Sequence, residues 1–463
     1  MKVLLISANT FIEPYPVYPL GLDYVTGAIE KDHTVLIADL NLEKTKADLP
    51  RLLADEAPDV IGISIRNIDN TDKTDPKGFI HRYQDLTATI RAHSLAPIVL
   101  GGSGFSIFPS EIMALLDADY GIAGEGEQLA ELLKMIEKKI YPDRATRTSV
   151  AAQTIPGLFV RGESGTGNPG KSHTMKQQFP RAFSPQSPHL NFYLTRGGML
   201  NLQTKRGCPF ACVYCTYPLI EGRKMRRFDP QEVADTALTL EKAGARYLFI
   251  TDSAFNADID HSLAVARAFQ KRGVSIPWGA YFAPVTLPDG YFETLKQAGL
   301  AHIEFGTESL CDSVLKAYGK TFSQAQAVQT HQAAVQAGVH VAHFILMGGP
   351  GETPVTLDQT LERLTTLKKT AIFFYLGMRI YPGTPLYDLA IGSGQINEHQ
   401  SLLDPVFYHS PAIETALIME KVQAMAKDRT NWVVGTGGDA TSRILNAMYK
   451  KGLSGPLWEF LIR

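Results

Sequence analysis

Residues Arg206-Gly207-Cys208-Pro209-Phe210-Ala211-Cys212-Val213-Tyr214-Cys215 hold three of the chain's four cysteines at the spacing C-x3-C-x2-C. Thiolates bunched this tightly on one loop can converge on a soft-metal centre, and iron–sulfur clusters are held by such close cysteine runs. No fourth cysteine lies nearby, so a four-iron cluster bound here by Cys208, Cys212 and Cys215 keeps one iron open to a substrate or cofactor. A zinc site lacking its fourth ligand and three buried thiols without a metal are the plainer alternatives. Zinc sites usually complete four ligands with paired C-x2-C units or histidines, and His261, the nearest histidine downstream, is too far along the chain to be a local partner.

Around this loop stretches a chain of 463 residues, long enough for two or three domains. Its 44% hydrophobic and 20% charged residues are ordinary for a globular protein, and a net charge of −2 offers no basic footprint for nucleic acid. The first residues, Met1-Lys2-Val3-Leu4-Leu5-Ile6-Ser7, have too short an apolar run for a signal peptide and read as a buried strand. The longest apolar stretches, such as Ala371 to Met378, fall well short of the ~20 residues that span a bilayer. Few and clustered cysteines fit a reducing compartment, so a cytoplasmic location is expected.

Residues 1 to 140 alternate short apolar runs with helical stretches. Strands are expected at Val3 to Ile6, Thr34 to Ala38, Val60 to Ile65, Pro97 to Leu100 and Tyr120 to Ile122, with helices at Leu20 to Glu30, Leu49 to Glu56, Phe79 to His93 and Ser110 to Leu116. Such alternation predicts an α/β fold with a doubly wound, Rossmann-like parallel sheet, whose ligands sit beyond the carboxyl ends of the strands. The turns there are distinctive: Asn9-Thr10, then the Pro-rich loop Pro14 to Gly21; Ser64 to Asn70; Gly101-Gly102-Ser103-Gly104; and Gly124-Glu125-Gly126-Glu127. Glycines in such turns permit close backbone approach to a ligand, while Glu125 and Glu127 can equally serve as partners of a helix dipole.

Residues 141 to 197 read as a linker with a small hairpin: a strand at Pro156 to Val160, a flexible turn at Gly162 to Gly170, and a Pro- and Ser-punctuated stretch from Phe179 to Asn191. From 198 to 390 the βα rhythm returns, with strands expected at Leu200 to Thr204, Tyr247 to Thr251, Pro277 to Tyr281, His302 to Phe305, Val341 to Met347 and Phe373 to Ile380. Six such units predict a partial (β/α)6 TIM-type barrel, with its active site at the carboxyl ends of the strands. The cysteine loop follows the first of them. Residues 391 to 463 are expected to form a helical cap, with helices at Ala412 to Asp428 and Asp439 to Lys450 and Trp432 between them. The basic group Arg223, Lys224, Arg226 and Arg227 reads as a solvated face more readily than as an anion site, and Cys311 as a buried structural thiol.

The cysteine loop, with an aromatic residue just before its last cysteine, resembles the radical SAM enzymes. That resemblance implies that Cys208, Cys212 and Cys215 ligate a [4Fe-4S] cluster whose open iron chelates S-adenosylmethionine. It also implies contacts to S-adenosylmethionine from Tyr214, from Asp252, Ser253 and Asn256 in T-D-S-A-F-N, from Glu308 and Ser309 in G-T-E-S, from Gly348 in the glycine-rich stretch Phe344 to Glu352, and from Arg379 before the turn Pro382-Gly383-Thr384-Pro385-Leu386. The first domain, over residues 3 to 135, is similar to the cobalamin-binding domain of one large subclass. The cobalamin contacts then implied are Asn9, Leu20, Gly21, Ser64, Arg66, Asn67, Gly101, Gly102, Ser103, Gly124, Glu125 and Gly126. The D-x-H-x-x-G motif that supplies histidine to cobalt in other cobalamin proteins is replaced here by Asn9-Thr10-Phe11-Ile12-Glu13, so Arg66 or Asn67 is expected to face the lower side of cobalt.

The resemblance implies a cobalamin-dependent radical SAM C-methyltransferase. One S-adenosylmethionine charges cobalamin with methyl, another gives the 5'-deoxyadenosyl radical, and the substrate radical takes the methyl. The alternative is a non-methylating radical reaction such as ring formation, ring contraction or oxidation. A methylthiotransferase is disfavoured because residues 1 to 207 contain no cysteine for a second cluster. A small-molecule or peptide substrate and an external electron donor such as flavodoxin or ferredoxin are the expected partners, with no nucleic acid and no membrane span. No side chain is assigned as the catalytic acid or base.

Overall fold

The computed structural model describes residues 1–138, 155–162, 179–435 and 438–462. The flexible turn expected at Gly162 to Gly170 therefore lies almost wholly outside the described residues.

The first sheet holds β1 (Lys2–Ser7), β2 (Thr34–Asp39), β3 (Val60–Ser64), β4 (Ile98–Gly101), β5 (Tyr120–Ile122) and β6 (Leu158–Val160) in the order β2-β1-β3-β4-β5-β6. All neighbours run parallel except β6, which pairs antiparallel with β5. Runs such as Val3-Leu4-Leu5-Ile6 and Val60-Ile61 are buried on both faces because helices cover both sides of the sheet. The strand expected inside the linker is thus an edge of this sheet. The second helix begins at Glu43, earlier than its apolar pattern suggested, because its first turns are exposed and polar. Strand order reverses between β1 and β3, which makes their carboxyl ends the switch point where doubly wound sheets bind ligands.

The second sheet is the partial barrel. It comprises β7 (Met199–Leu202), β10 (Tyr247–Ile250), β11 (Trp278–Phe282), β12 (Leu300–Glu308), β13 (His340–Met347) and β14 (Thr370–Leu376), with a two-stranded ribbon of β8 (Lys205–Arg206) and β9 (Arg226–Arg227) beside the first. The strand expected to continue to Ile380 stops at Leu376, and β15 (Met378–Arg379) turns away to pair with β16 (Phe407–Tyr408). A seventh parallel strand, β17 (Trp432–Val434), adds to β14 where the sequence suggested only a helical cap. Helices on the outer face start at strong stop signals. Asp229 caps the helix Pro230–Lys242 by accepting from the Gln231 and Glu232 amides, and Ser323 with Gln326 forms a capping box on Gln324–Gln336.

The two sheets share apolar core. Residues of the first domain such as Phe105 and Ile112 cluster with Val314, Tyr318, Ile380 and Leu386 of the second. The Pro-rich loop after β1 enters the barrel: Tyr18 packs among Leu200, Tyr193 and Leu248, while Tyr15 rests on Met199, Tyr247 and Phe249. No helix among the described residues is long and apolar enough to cross a membrane.

Candidate active site

Two antiparallel strands, β8 and β9, present the cysteine loop at the carboxyl end of β7. Asp252, completely buried, accepts hydrogen bonds from the Thr204 amide (2.8 Å), the Thr204 hydroxyl (2.5 Å) and the Lys205 ammonium (2.7 Å). Its carboxylate is therefore consumed in fixing the base of the loop and does not reach the cavity, contrary to the cofactor contact expected for it. Gly207 must be glycine: its φ is +97°, and a Cβ would lie 2.4 Å from the Lys224 carbonyl. The Gly207 amide donates to Glu221 (3.0 Å), and the Ser253 hydroxyl donates to the Gly207 carbonyl (3.0 Å).

Above this base opens a cavity of about 310 Å³ lined by Cys208, Cys212 and Cys215, by Phe210, Tyr214 and Tyr217, by Ser253 and Ala254, by Tyr281 to Ala283, and by Glu308 and Lys320. All three cysteines are free thiols, and burial pushes Cys212 and Cys215 up, the latter to about 12, each thiolate adding to its neighbours' cost. Positive charge ligated by sulfur is what removes that cost. Among the described residues no three His, Cys, Asp or Glu side chains gather tightly enough to hold one metal ion. A tetrahedral zinc with bonds of about 2.3 Å needs sulfurs within about 4 Å of one another. Three free thiols lining one cavity, with no fourth cysteine in its lining, are the donor set of a four-iron cluster that keeps one iron open.

Across from the thiols, the register of β12 slips between Gly306 and Glu308, and Glu308 sits at φ +62°. That unusual backbone turns its carboxylate inward. Glu308 accepts from the Tyr214 hydroxyl (2.6 Å) and from Lys320 (3.1 Å), and Lys320 also donates to the Gly306 carbonyl (3.2 Å). Burial works against the Lys320 charge, but Glu308 and Cys212 outweigh it and hold the ammonium above its ordinary range. A carboxylate, a phenol, an ammonium and a carbonyl within one apolar pocket can engage an amino acid's two charged groups and a ribose. Lys320 carries no motif, and sequence reasoning missed it together with Phe210, Tyr217 and Tyr281.

Other residues expected at S-adenosylmethionine lie away from the cavity. Asn256 clasps the backbone of Ala283 through both amide atoms (2.7 and 2.9 Å) and so holds the end of β11. Ser309 turns to Thr360 (2.9 Å), and the Gly348 amide donates to Glu352. Arg379 is buried in a pair with Asp69 of the first domain (2.8 Å) and with the Leu402 carbonyl (2.5 Å). It is an interdomain contact.

At the first sheet's carboxyl edge the expected contacts divide in two. Among the described residues, Asn9, after β1, and Asn67, after β3, each keep a buried side-chain oxygen with no hydrogen-bond partner, a rare circumstance that asks for a donor from elsewhere. Arg66 is exposed between them and lies close enough to Tyr15, Tyr217 and Tyr281 to act on their phenols. Gly21 is open on all sides, and Ser64 is half-buried at the end of β3. These groups fit a large polar ligand carrying amides, as the corrin side chains of cobalamin do. The glycine turn is a different matter. At Gly102, with φ +100°, a Cβ would fall 2.5 Å from the Ile65 carbonyl, so the missing side chain makes room for the neighbouring loop and not for a ligand. Ser103 donates to the Arg66 carbonyl (3.0 Å), Gly124 donates to Ser106 (2.9 Å), and Gly126 faces Val25. Glu125 pairs with Arg226, and Glu127 with Arg206 (2.6 Å). Leu20 and Gly101 are half-buried. Three of the four residues of the basic cluster are accounted for, since Arg226 meets Glu125, Arg227 meets Asp258 and Arg223 donates to the Phe210 carbonyl (3.3 Å).

Known proteins align with both halves. Residues 202–364 match the radical SAM superfamily model and residues 13–134 the B12 binding domain model. The chain is 25% identical over 438 residues to tryptophan 2-C-methyltransferase of Streptomyces laurentii, covering 82% of this chain and 73% of the relative. It is 25% identical over 404 residues to cytidylyl-2-hydroxyethylphosphonate methyltransferase of Streptomyces wedmorensis, covering 75% and 73%. Among solved structures it resembles the radical S-adenosylmethionine methyltransferase TsrM from Kitasatospora setae, solved with tryptophan and a SAM analogue, at TM-score 0.85 and 22% identity over 99% of this chain and 97% of that one. With a three-thiol loop at the mouth of a partial barrel, a switch-point sheet docked against it, and both domain models matched in order, the chain belongs to the cobalamin-dependent radical SAM enzymes.

Proposed function

We propose that this enzyme is a methyltransferase that moves a methyl group from S-adenosylmethionine, by way of cobalamin, to a carbon atom of a small substrate. The observation that carries the reading is the juxtaposition at the barrel mouth: the thiol-lined cavity shares Tyr217 and Tyr281 with the surface that Arg66 reaches from the switch point of the first sheet. When bound, the cluster supplies the electron that splits S-adenosylmethionine, and cobalamin carries the methyl group.

The chain's own residues have separable tasks in this reading. Cys208, Cys212 and Cys215 hold the cluster, on a loop braced by Asp252 and Lys205. Glu308, Tyr214 and Lys320 engage the charged and hydroxylated parts of S-adenosylmethionine. Asn9, Asn67 and Arg66 would hold cobalamin, the two asparagine oxygens accepting from the amide side chains of the corrin. Phe210, Phe282 and Phe322 line the cavity with apolar surface, which keeps water from a reactive radical. An external one-electron donor such as flavodoxin or ferredoxin, and a reducing cytoplasm, belong to the same reading.

The test is anaerobic reconstitution with iron, sulfide and hydroxocobalamin, followed by desalting, metal counting and incubation with methyl-labelled S-adenosylmethionine. About four irons and one cobalt per chain, with label passing into protein-bound cobalamin, is the expected result. Iron without cobalt refutes the reading.

A further inference from the structure

The cysteine loop has an outer face that the cavity does not use. Cys208, Phe210 and Cys212 line the cavity, whereas Pro209 and Ala211 between them are exposed and take no part in its lining. The segment Gly222 to Lys224 wraps this outer face. The Cys208 amide donates to the Gly222 carbonyl (2.9 Å), and the Arg223 guanidinium donates to the Phe210 carbonyl (3.3 Å). Gly207 lies so close to the Lys224 carbonyl that a Cβ would sit 2.4 Å from it. A hydrogen bond therefore joins a surface segment to a thiol residue that is itself only 6% exposed.

The charge of this face is one-sided. Arg223 and Lys224 are exposed, and among the described residues neither pairs with a carboxylate. Their neighbours Arg226 and Arg227 are taken by Glu125 and Asp258. The acids close by are turned elsewhere: Glu221 accepts from the Gly207 amide (3.0 Å) and from Gln203 (3.3 Å), and Asp229 caps the helix Pro230–Lys242. A chain with a net charge of −2 thus sets two cations beside a small apolar centre, Pro209 and Ala211, on the loop that carries the thiols.

We propose that Pro209, Ala211, Arg223 and Lys224 form the docking surface for a small acidic one-electron carrier protein, whose electron enters by way of the Gly222–Cys208 hydrogen bond. The proposal rests on the reading that Cys208, Cys212 and Cys215 hold a reducible cluster. The donor loses one electron and the cluster gains it, with no proton or covalent bond changing hands. Electron transfer weakens steeply with distance, and a carrier that must leave after each transfer suits a small contact guided by charge. The cavity side of the same loop is left to S-adenosylmethionine, so donor and cofactor approach from different sides and do not compete.

The experiment follows reduction of the reconstituted cluster by stopped-flow absorbance, in separate runs with flavodoxin hydroquinone, an acidic protein, and with photoreduced deazariboflavin, a small uncharged reductant. In R223E/K224E the second-order rate with flavodoxin at low salt should fall at least about tenfold, and in wild type it should fall as salt is added, the mark of steering by opposite charge. The deazariboflavin rate should be the same in both. Lys450 and Lys451 are exposed at the amino-terminal end of the barrel strands, where the following Gly452 and Gly455 meet Arg246 and Gly197. K450E/K451E changes the net charge equally and should keep most of the wild-type rate. A wild-type flavodoxin rate that ignores salt, an equal loss in both double variants, or a cluster that accepts electrons from deazariboflavin and none from flavodoxin overturns the proposal. Should R223E/K224E lose iron, R223Q/K224Q carries the test, with a fall of about threefold expected. Iron counts keep the two readings apart: full iron with a salt-blind rate removes only the proposal, and wild-type protein that retains no iron removes the cluster on which it stands.

Discussion

Replacing Arg206 by alanine should loosen the cysteine loop by a calculable amount. Arg206 stands two residues before Cys208, is 12% exposed, meets Glu127 at 2.6 Å and Glu125 at 3.5 Å, and lies over the Tyr24 ring at 4.7 Å. Opposite charges about 4 Å apart at an effective dielectric of about 20 attract by about 4 kcal/mol. Desolvation of both partners takes back roughly half, leaving a coupling of about 2 kcal/mol, between the values of exposed and fully buried pairs. Global unfolding of a two-domain chain is a poor ruler, so the assay is local. In cluster-free protein with Cys212→Ser and Cys215→Ser, Cys208, only 6% exposed, reacts with a disulfide reagent when the loop lifts. A double-mutant cycle of R206A with E127A on that labelling rate should give a coupling of about 30-fold, at 1.4 kcal/mol per tenfold. A coupling under about threefold places the pair at the level of a surface ion pair and refutes the claim that it clamps the loop to the first domain.

Cys212→Ala should leave less than about half of the iron after reconstitution and desalting, with no cleavage of S-adenosylmethionine, because the loop supplies only three ligands and losing one leaves two of the four irons unheld; full iron retention contradicts the ligand assignment. Arg66→Ala should alter the absorption spectrum of bound cobalamin and slow methyl transfer, and an unchanged spectrum with unchanged turnover sinks its placement beneath cobalt. Burial raises both Glu304 and Glu352 to about 7, so between about 4.5 and 7 the folded chain holds protons that the unfolded chain has released, and stability from these groups falls as pH rises. His302, lowered to about 4 by burial, works the other way over about 4 to 6.5. The stability gained by E352Q over wild type should therefore grow from pH 5 to pH 7, as read in urea midpoints, and a difference that does not change with pH contradicts the raised carboxyl.

The strands were legible because each is a run of β-branched and aliphatic residues bounded by turn signals, and the metal loop because its spacing is nearly diagnostic. β17 was not, since Trp432-Val433-Val434 is too short to show a period and gains its place from pairing with β14. Asp252 was found and misjudged: an acid after a strand reads the same whether it faces a ligand or turns back onto Thr204 and Lys205. Lys320 escaped because its charge acquires meaning only from Glu308 and Tyr214, brought beside it by the fold. In β12 the alternation His302, Glu304, Gly306 against Ile303, Phe305 already placed polar residues on the inner face. What it did not disclose was that Trp458, from the far end of the chain, packs on the alanines at the facing positions and donates to Glu304.

The polar turns of the first domain divide by position along the sheet edge. On one flank, Asp39 at the end of β2 accepts from Tyr193 (2.5 Å), and on the other, Glu125 and Glu127 after β5 meet Arg226 and Arg206. Asp69, further along the loop after β3, takes Arg379. Each of these carboxylates is answered by a donor from beyond the first domain, so both flanks are committed to docking. Between them, at the reversal of strand order, Asn9 and Asn67 keep oxygens that no described residue answers, and the Arg66 charge acts on Tyr217 and Tyr281 of the cavity. A ligand competing for the flanks would have to break a buried hydrogen bond on one side and ion pairs on the other. At the centre it meets unsatisfied acceptors and gains by binding. The docking contacts therefore do more than join two domains: among the described residues they use up the carboxylates of the outer loops and leave the unanswered asparagine oxygens at the switch point.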